Sequence, residues 1–231
     1  MGIETKSQIS DLSKKVGHDL KSPLRKLRQF SELMRLEYSD ILDGDGEIYL
    51  TGIGDSAEEV SELVDNLLVY IRCLTDVPNL TQVDLNDVME IISPPISTKF
   101  GPSVDIEYGQ LPTVHASKSL SVILFTHLLE NACRFNGPDQ APMISIKSKR
   151  TDNRNVIQIE DNGIGITGEG AEKVFDPLMR LHPKSDYKGS GLGLAICKVI
   201  CDVHGWEIGF TNNPHGGTIF KLTLPASQSP S

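Results

Sequence analysis

Two long stripes of apolar side chains, spaced three or four residues apart, run through the first third of the sequence. This spacing is that of one face of an α-helix, and the alternation in the second stripe is typical of a heptad seam. A segment rich in glycine and acidic residues, 39–47, separates the stripes and predicts a turn, and Pro78 ends the second stripe. The stripes consist of Ile9, Leu12, Val16, Leu20, Leu24, Leu27 and Phe30, and then of Tyr49, Ile53, Ala57, Val60, Val64, Leu67, Ile71 and Leu74.

Two helices joined by a short loop form an antiparallel hairpin, which has too little surface to enclose both stripes. Pairing two copies into a four-helix bundle would bury them, with the twofold symmetry that is commonest among homo-oligomers. We therefore expect residues 1–77 to form a helical hairpin that makes the protein a homodimer. The alternative is that the hairpin packs against the C-terminal domain of its own chain.

From about Thr81 the sequence changes to mixed helix and strand character, which predicts a second domain over residues 81–226. The strands follow one another as in an antiparallel sheet, with helices before and between them, so we expect an α+β protein whose second domain is an α/β sandwich. The stretch between Gly163 and Leu192 is rich in Gly, Pro and Lys, and a loop of this length in a compact domain is usually a functional lid or disordered. The predicted helices are Leu85–Ile92, Ser119–Phe135 and Leu192–His204, and the predicted strands are Val104–Tyr108, Met143–Arg150, Asn155–Glu160, Glu207–Thr211 and Thr218–Leu224.

Composition excludes several classes of protein. A formal net charge of −9 and the lack of a basic stripe argue against binding to a nucleic-acid backbone. No apolar run approaches the roughly 18 residues of a membrane span, and the N-terminus lacks the apolar core of a signal peptide. The spacing of Cys197 and Cys201 is compatible with a metal pair, but without further ligands nearby we expect buried, reduced thiols and a cytoplasmic location.

The segment Gly17–Leu24, GHDLKSPL, places a histidine, an acid and a proline inside the first predicted helix. At about 100° per residue, His18 lies opposite the apolar stripe and faces solvent. Asp19 can accept a hydrogen bond from imidazole Nδ1, which leaves Nε2 as the nucleophile, or it can take up a proton during attack on phosphorus. Pro23 lacks an N–H, so the carbonyl of Asp19 loses its helical partner and a kink is expected. The alternatives are an ordinary surface histidine and a kink without function.

His18–Leu24 resembles the phosphoacceptor box of sensor histidine kinases. The resemblance implies that a ring nitrogen of His18 is phosphorylated and then passes the phosphoryl group to an aspartate in the receiver domain of a response regulator. Ser22 stands where family members with phosphatase activity often have Thr or Asn. A hydroxyl is kept at this position, and the sequence leaves phosphatase activity open.

Three further clusters contain residues suited to a nucleotide site. Asn131, on a predicted helix, offers a neutral oxygen for Mg²⁺, which prefers hard oxygen ligands shared with phosphates. Asp161, at a strand end, can accept a hydrogen bond from the adenine amine, and Gly163 and Gly165 leave room for the base or sugar. Glycines before a helix N-terminus let backbone N–H groups approach phosphate oxygens, and Arg134 can neutralise phosphate charge. The clusters are Leu128–Phe135, Asp161–Ile166 and Gly189–Leu194.

In this order the clusters resemble the N box and the two glycine boxes of sensor histidine kinases, and Phe175–Pro177 matches the phenylalanine box between them. The resemblance spans almost the whole chain and is nearest to phytochrome-type kinases. It implies a dimerising acceptor hairpin followed by an ATP-binding domain of the gyrase type (Bergerat fold), with ATP and Mg²⁺ as cofactors. We expect Lys184, in the lid, to contact the γ-phosphate, and the alternative is that its side chain faces solvent. The further residues that the resemblance assigns to nucleotide binding are Lys184, Gly189, Gly191, Leu192 and Gly193.

Three histidines stand outside the acceptor box. Kinases of this family commonly carry a second asparagine one helical turn before the N-box asparagine, and here that position is His127. Residues four apart share a helix face, so we expect His127 beside Asn131, near Mg²⁺ or phosphate. A neutral imidazole is a poorer Mg²⁺ ligand than oxygen, so a water-mediated or structural role is the alternative. For His204 and His215, ordinary structural roles are expected.

The leading hypothesis is an ATP-dependent protein-histidine kinase with His18 as acceptor. The alternatives are a binding module, either a phosphotransfer protein or a pseudokinase, and a protein that acts mainly as a response-regulator phosphatase. Intact Asn131, Asp161 and glycine boxes favour the kinase, because a pseudokinase typically loses them. The sequence contains no recognisable sensor module, so we expect an input domain upstream or on another chain.

Overall fold

The computed structural model describes residues 3–137, 140–151, 154–181, 187 and 189–225. The chain divides into two compact units, the first of residues 1–76 with 188–192 and the second of residues 77–187 with 193–231. No helix among the described residues combines the length and the apolar character that a membrane-spanning segment needs.

The first unit is built on a hairpin of two long helices, α1 (Ile3–Glu37) and α2 (Gly44–Thr75). The connection is shorter than the turn predicted over 39–47, because the Asp43 side chain caps α2 by accepting a hydrogen bond from the Gly46 N–H at 2.8 Å. The α1 helix continues through Pro23. The predicted pair of antiparallel helices is therefore present.

The two helices contact each other through small side chains on α1. The buried residues of α2 are apolar, whereas those of α1 are mostly serines and one glycine. A Cβ atom on Gly17 would lie 2.3 Å from Leu68 Cδ1, so α2 approaches the α1 backbone closely beside His18. The buried positions are Ser10, Ser13, Gly17 and Ser31 on α1, and Leu50, Ala57, Val64 and Cys73 on α2.

Most of the predicted apolar stripe stays exposed on this chain. On α2 the buried positions 50, 57 and 64 repeat every seven residues, and a second row at 53, 60, 67 and 74 repeats beside them on the outside. At about 100° per residue, each position of the second row lies roughly 40° to 60° around the helix from its nearest neighbours in the first row, so both rows belong to one wide apolar face. The exposed members include Leu12, Val16, Leu20, Leu27 and Phe30 on α1 and Tyr49, Ile53, Val60, Leu67 and Leu74 on α2.

The second unit is α+β, with helices packed on a five-stranded mixed sheet of strand order β2-β4-β5-β7-β6. A separate two-stranded sheet pairs β1 with β3. Alternate residues of β5 and β7 are buried and form the core with α4 and α5. The elements are β1 (Thr81–Asp84), α3 (Leu85–Phe100), β2 (Asp105–Tyr108), β3 (Thr113–Ala116), α4 (Lys118–Arg134), β4 (Met143–Thr151), β5 (Arg154–Asp161), a short 3₁₀ turn (Ala171–Lys173), α5 (Gly193–His204), β6 (Glu207–Asn212) and β7 (Thr218–Pro225).

The structure corrects three details of the predicted elements. The short strands β1 and β3 were not predicted, and α3 runs through Pro94 and Pro95 rather than ending at Ile92. The helix continues because Ile96 extends its buried apolar face while both prolines lie on the exposed side. Strand β2 is parallel to β4, against the expected antiparallel succession, because β3 and α4 form the crossover between them.

Buried contacts account for His204 and for the cysteines. Nε2 of His204 accepts a hydrogen bond from the Ser117 N–H at 2.9 Å, at the start of α4, and Nδ1 lies 2.7 Å from the carbonyl of Ile200. The expected structural role of His204 is confirmed by these contacts, and burial lowers the pKa of its imidazole. All four cysteines are free and buried, and burial raises the pKa of Cys201 to about 12.

Candidate functional site

The predicted solvent-facing position of His18 is confirmed. Its side chain is 84% exposed, and Nδ1 lies 3.2 Å from Oδ1 of Asp19, which is itself exposed. One residue earlier, Gly17 is buried against Leu68, and three residues later Lys21 forms an ion pair with Asp65 of α2. The histidine thus stands on the outer side of a helix whose inner side is fixed by close packing.

Ser22 and Pro23 lie on the turn after His18. Ser22 follows His18 by four residues, which puts the two side chains on the same face of α1, and it is half-buried. Because Pro23 has no N–H, it cannot donate the helical hydrogen bond to the carbonyl of Asp19. The acceptor turn therefore contains a hydroxyl and a backbone carbonyl without its usual helical partner.

Asp161 ends β5 as a carboxylate that is only 7% exposed. Its Oδ1 atom accepts two backbone hydrogen bonds, from Gly163 and from Thr218, each at 2.9 Å. Burial raises the pKa of Asp161, and these two hydrogen bonds oppose that effect. No described residue donates a hydrogen bond to Oδ2, so this oxygen keeps its capacity to accept one.

Two glycines next to Asp161, one in the loop that follows it and one in the turn between β6 and β7, have no room for a side chain. A Cβ on Gly163 would lie 2.5 Å from the carbonyl oxygen of Phe135, and a Cβ on Gly217 would lie 2.0 Å from the carbonyl oxygen of Asp161. The Ile164 N–H also donates to the Phe135 carbonyl at 2.9 Å, which ties the loop to the end of α4. Gly165, with φ of +76°, needs the left-handed region that glycine adopts freely.

Asn131 and His127 lie one turn apart on α4, next to the first residue of α5. A Cβ built on Gly193 would be 3.5 Å from His127 Nδ1 and 3.9 Å from Asn131 Oδ1. Both side chains are half-buried. The predicted N box and the last glycine of the second glycine box are thus brought together, while the end of α4 meets the loop after Asp161.

Arg134 is mostly buried and lies beside an acidic partner. Its Nη2 atom is 3.8 Å from Oε2 of Glu130, and the other carboxylate oxygen of Glu130 accepts a hydrogen bond from Lys99 at 2.6 Å. The side chains of Arg134 and Glu130 are 17% and 19% exposed. The carboxylate of Glu130, one residue before Asn131, therefore contacts two cationic side chains, Lys99 of α3 and Arg134 of α4.

The remaining predicted site residues divide into two groups. Gly189, Gly191 and Leu192 group with the first unit, in which the Asn66 side chain donates to Ser190 Oγ at 2.9 Å. Lys184 lies outside the described residues.

The sequence reasoning missed the turn between β6 and β7. Gly217 leaves space for Asp161, the Thr218 N–H donates to it, and Asn212 Oδ1 accepts a hydrogen bond from the Ile166 N–H at 3.1 Å. Asn213 Nδ2 lies 3.4 Å from the Asp161 carbonyl. The signal that could have revealed this turn is the Gly216-Gly217-Thr218 run between two predicted strands.

These features fit a purine nucleotide. Oδ2 of the buried Asp161 can accept a hydrogen bond from an exocyclic amine, and the crowded glycines bring backbone close to the space where a base would lie. No group of three His, Cys, Asp or Glu side chains suited to a metal ion occurs within the described part of the chain.

Residues 118–228 match the model of one protein family, the histidine kinase-, DNA gyrase B- and HSP90-like ATPases. The matched residues include Asn131, Asp161, Gly163, Gly165, Gly193 and Gly217. The ATP-binding family expected from the glycine boxes is thus found by an independent comparison.

Similar proteins extend the likeness to the helical hairpin. The chain is 32% identical over 209 residues to the phytochrome-like protein Cph1 of Synechocystis, which covers 90% of this chain and 28% of that protein. It is 31% identical over 240 residues to the signal transduction histidine-protein kinase AfsQ2 of Streptomyces coelicolor, covering 96% of this chain and 42% of that protein. The chain thus spans less than half the length of these relatives.

Among solved structures, full-length ShkA in complex with AMPPNP superposes on 95% of this chain, with a TM-score of 0.67. This chain corresponds to 47% of ShkA, and the sequence identity is 20%. At that identity the likeness concerns the fold, a helical hairpin followed by a mixed-sheet unit.

Proposed function

The chain contains the catalytic core of a sensor histidine kinase, and we propose that it transfers the γ-phosphoryl group of ATP to His18 and then to an aspartate of a response regulator. The proposal rests on the presence in one chain of an exposed His18–Asp19 turn and of a buried Asp161 whose Oδ2 can accept an adenine amine beside crowded glycines. His18 provides the acceptor of the phosphoryl group, and the residues around Asp161 would bind ATP, its donor.

The acceptor chemistry follows from the His18–Asp19 contact. With Nδ1–H donating to the Asp19 carboxylate, Nε2 carries the lone pair that attacks phosphorus. A bond forms between Nε2 and the γ-phosphorus, and the bond between that phosphorus and the β,γ-bridging oxygen breaks, which releases ADP. The imidazole gains positive charge in this step, and the carboxylate of Asp19 stabilises it and can take the Nδ1 proton.

The nucleotide is held by the second unit in this proposal. Asp161 accepts the adenine amine through Oδ2, and the backbone near Gly163, Gly165 and Gly217 lies against the base. Asn131 Oδ1, with His127 beside it, would hold the divalent cation, which neutralises phosphate charge when bound. Catalysis then consists mainly of positioning and charge neutralisation.

Other predicted ligands keep the roles that the sequence suggested. The backbone of Gly189, Gly191, Leu192 and Gly193, ahead of and within the first turn of α5, would receive the phosphates. Arg134 and Lys184 are proposed to balance phosphate charge. For Arg134 this requires sharing with Glu130, its neighbour on α4.

Dimerisation is proposed through the exposed apolar rows of α1 and α2. An apolar groove between the helices is lined by Leu24, Leu27, Tyr49, Ile53 and Val60. A contiguous exposed apolar surface of this kind is typical of a protein–protein interaction site. A second hairpin carries the same rows, and two copies form a four-helix bundle that removes both from water.

The response regulator is proposed to dock at the exposed side of His18, which lies away from these rows. The phosphoryl group on nitrogen is then attacked by a carboxylate oxygen of the receiver domain, and the N–P bond breaks. Ser22, on the same helix face as His18, keeps a hydroxyl close enough to assist a water molecule in the reverse, phosphatase direction.

Incubation with γ-labelled ATP and Mg²⁺ tests the proposal. Wild type should become labelled, His18→Ala should not, and His115→Ala should label like wild type, since His115 is exposed on β3 and is not among the residues of either site. Addition of a receiver domain should then remove the label from the kinase and move it to the regulator.

The same experiment separates the alternatives. A pseudokinase would bind the nucleotide and remain unlabelled, and a phosphotransfer protein would accept label only from a phosphorylated regulator. A protein that acts mainly as a phosphatase would remove phosphate from a prephosphorylated regulator faster than it labels itself, and Ser22→Ala would slow that removal.

A further inference from the structure

The hydroxyl of Ser190, in the second glycine box, accepts two hydrogen bonds. Nδ2 of Asn66, on α2, donates to Ser190 Oγ at 2.9 Å, and the backbone N–H of Leu192 donates to the same atom at 3.3 Å. All three residues belong to the first compact unit. A serine hydroxyl oxygen has two lone pairs, so both are used by these donors.

The Leu192 N–H is one of the backbone donors proposed to receive the phosphates of ATP. This N–H cannot donate fully to the Ser190 hydroxyl and to a phosphate oxygen at the same time. A charged phosphate oxygen is the stronger acceptor, so the nucleotide can displace the hydroxyl. The displacement weakens binding, however, by the free energy of the contacts that hold the hydroxyl in place.

Asn66 supplies one of the contacts that hold the Ser190 hydroxyl. Ser190 stands between two glycines, and Gly191 has a φ of +71°, so the backbone around the hydroxyl can change conformation readily once the contact is lost. The Asn66 amide comes from a residue 124 positions earlier in the chain and ties this flexible segment to α2. The Leu192 N–H is therefore occupied more firmly than it would be by a local serine turn alone.

The turn of α2 that carries Asn66 also contacts the acceptor turn of α1. Asp65, the residue before Asn66, forms an ion pair with Lys21, and Leu68 packs against Gly17, next to His18. The segment before α5 is thus held by the same part of α2 that packs on the acceptor turn.

We propose that Asn66 weakens ATP binding by stabilising the conformation in which the Ser190 hydroxyl takes the place of a phosphate oxygen at the Leu192 N–H. The inference rests on the proposed ATP site and adds a regulatory contact to it. A change in the hairpin that separates Asn66 from Ser190 would raise the affinity for ATP, and by linkage bound ATP would favour that change. Nucleotide binding thereby depends on the state of α2 beside the acceptor turn.

The nucleotide affinity of Asn66→Ala tests the inference. The probe is the β,γ-methylene analogue of ATP with Mg²⁺, titrated calorimetrically into the whole chain. Asn66→Ala should bind it about threefold to tenfold more tightly than wild type, which is the range of one neutral hydrogen bond. Asn79→Ala, the same substitution at an exposed position just after α2, should bind it like wild type. An equal or weaker affinity in Asn66→Ala, or the same gain in Asn79→Ala, would overturn the inference.

Adenosine shows whether the gain concerns the phosphates. It has no phosphate group to compete with the Ser190 hydroxyl, so it should bind equally to wild type and to Asn66→Ala. A gain for adenosine as large as that for the ATP analogue would mean that Asn66 acts on the whole nucleotide pocket, and would overturn the inference.

Ser190→Ala and the double variant show whether the two residues act through one contact. Ser190→Ala should also bind the ATP analogue more tightly than wild type, and Asn66→Ala combined with Ser190→Ala should bind it no more tightly than Ser190→Ala alone. A double variant whose gain equals the product of the two single gains would contradict a shared contact. If Asn66→Ala does not fold, the affinity of Ser190→Ala decides.

Hydrogen exchange of the Leu192 amide gives a readout without nucleotide. The amide should exchange several-fold faster in Asn66→Ala than in wild type, because the hydroxyl that accepts its hydrogen bond is no longer held. Equal exchange rates in the two proteins would overturn the inference while leaving the ATP site in place. Failure of wild type to bind the ATP analogue would instead overturn the ATP site itself.

Discussion

The hairpin and the mixed-sheet unit hold their key side chains in opposite environments. His18 is 84% exposed and its main polar neighbour is Asp19, the next residue on the same helix turn. Asp161 is 7% exposed and is fixed by backbone groups from two separate loops. A phosphoryl acceptor that must meet a donor and then a regulator has to remain accessible, whereas a nucleotide pocket depends on close backbone approach. The two halves of the proposed reaction therefore place different demands on the sequence.

The same contrast appears in the apolar residues. In the second unit, alternate residues of β5 and β7 and one face of each helix close a core, as Leu222 and Ile196 illustrate with no measurable exposure. In the hairpin, the seam between α1 and α2 uses small side chains, and large apolar residues such as Phe30 remain 60% exposed. The second unit encloses its own core, and the hairpin needs a partner surface.

The largest expected effect comes from closing the space beneath Asp161. Gly217→Ala would place a methyl group against the Asp161 carbonyl at a backbone φ of +95°, which costs about 3 kcal/mol of unfolding free energy and abolishes nucleotide binding. Denaturant unfolding and titration with a fluorescent ATP analogue measure both quantities. Gly216→Ala is the matched control, because its φ is +100° with no atom within 4 Å, and it should lose only about 1 kcal/mol. Equal losses in the two variants would contradict the close-packing account.

The second effect concerns the exposed row of the hairpin. Ile53→Asp combined with Leu67→Asp should weaken the dimer by at least about a hundredfold, since each charge would have to be buried in two copies. Light scattering across a range of protein concentrations gives the dissociation constant. Thr51→Asp, on the opposite face of α2, should leave the dimer intact, and neither variant should alter nucleotide affinity. A dimer that survives the double change would place the interface elsewhere.

A smaller effect is expected when Asp161 loses its charge but keeps its shape. Asp161→Asn should reduce nucleotide affinity by roughly tenfold to a hundredfold, because a charge-assisted hydrogen bond contributes about 1.5–3 kcal/mol. Asp105→Asn, at an exposed position on β2, is the control for a lost carboxylate.

The stability of Asp161→Asn should also depend on pH in a defined direction. Burial raises the folded-state pKa of Asp161 above its ordinary value, so its contribution to stability is present at low pH and is lost as pH rises through the folded pKa. The asparagine variant should therefore be more stable than wild type at neutral pH, and this advantage should shrink on acidification. An advantage that grows toward acid pH would mean that the ionised carboxylate is the favoured form in the folded protein.

The smallest expected effect is on stability alone, and it distinguishes the structural role of His204 from the phosphoacceptor role proposed for His18. His204→Phe should cost about 1–2 kcal/mol by leaving the Ser117 N–H and the Ile200 carbonyl without their partner, while His18 labelling stays normal. Burial lowers the pKa of His204, so its contribution is complete above the ordinary histidine pKa and is lost as pH falls through the folded value. Unfolding curves from neutral to mildly acidic pH should show this loss in wild type and in His215→Phe, and not in His204→Phe. A wild-type stability that is flat over this range would contradict the role given to His204.

Sequence periodicity predicted the elements whose side chains repeat over many residues. The two long helices, α4, α5 and the strands β4–β7 were all recognised because each has an extended buried face. The strands β1 and β3 were missed because four residues are too few to establish an alternation. The extension of α3 was missed because Pro94 and Pro95 look like a stop signal, although their exposed positions let the helix continue.

Site residues were predicted where the motif itself carries the chemistry. Asp161, Gly163 and Asn131 stand in recognisable clusters, and the structure brings the loop with Gly163 to the C-terminal end of α4, whose last turn carries Asn131. Gly217 was missed because its role comes from a distant contact with the Asp161 carbonyl, 56 residues earlier in the chain. The buried row of small side chains on α1 was also missed. Ser10, Ser13 and Ser31 are polar and therefore resemble surface residues in the sequence, although α2 packs against them.

The central claim is that the second unit supplies the phosphoryl group and the hairpin accepts it at His18. Peptide mapping of wild type after incubation with Mg²⁺ and ATP, carried out at alkaline pH to preserve phosphorus–nitrogen bonds, tests this claim most directly. The account predicts a single phosphorylated residue, His18. A phosphoryl group on any other residue, or no phosphorylation in a sample that binds ATP, would contradict it.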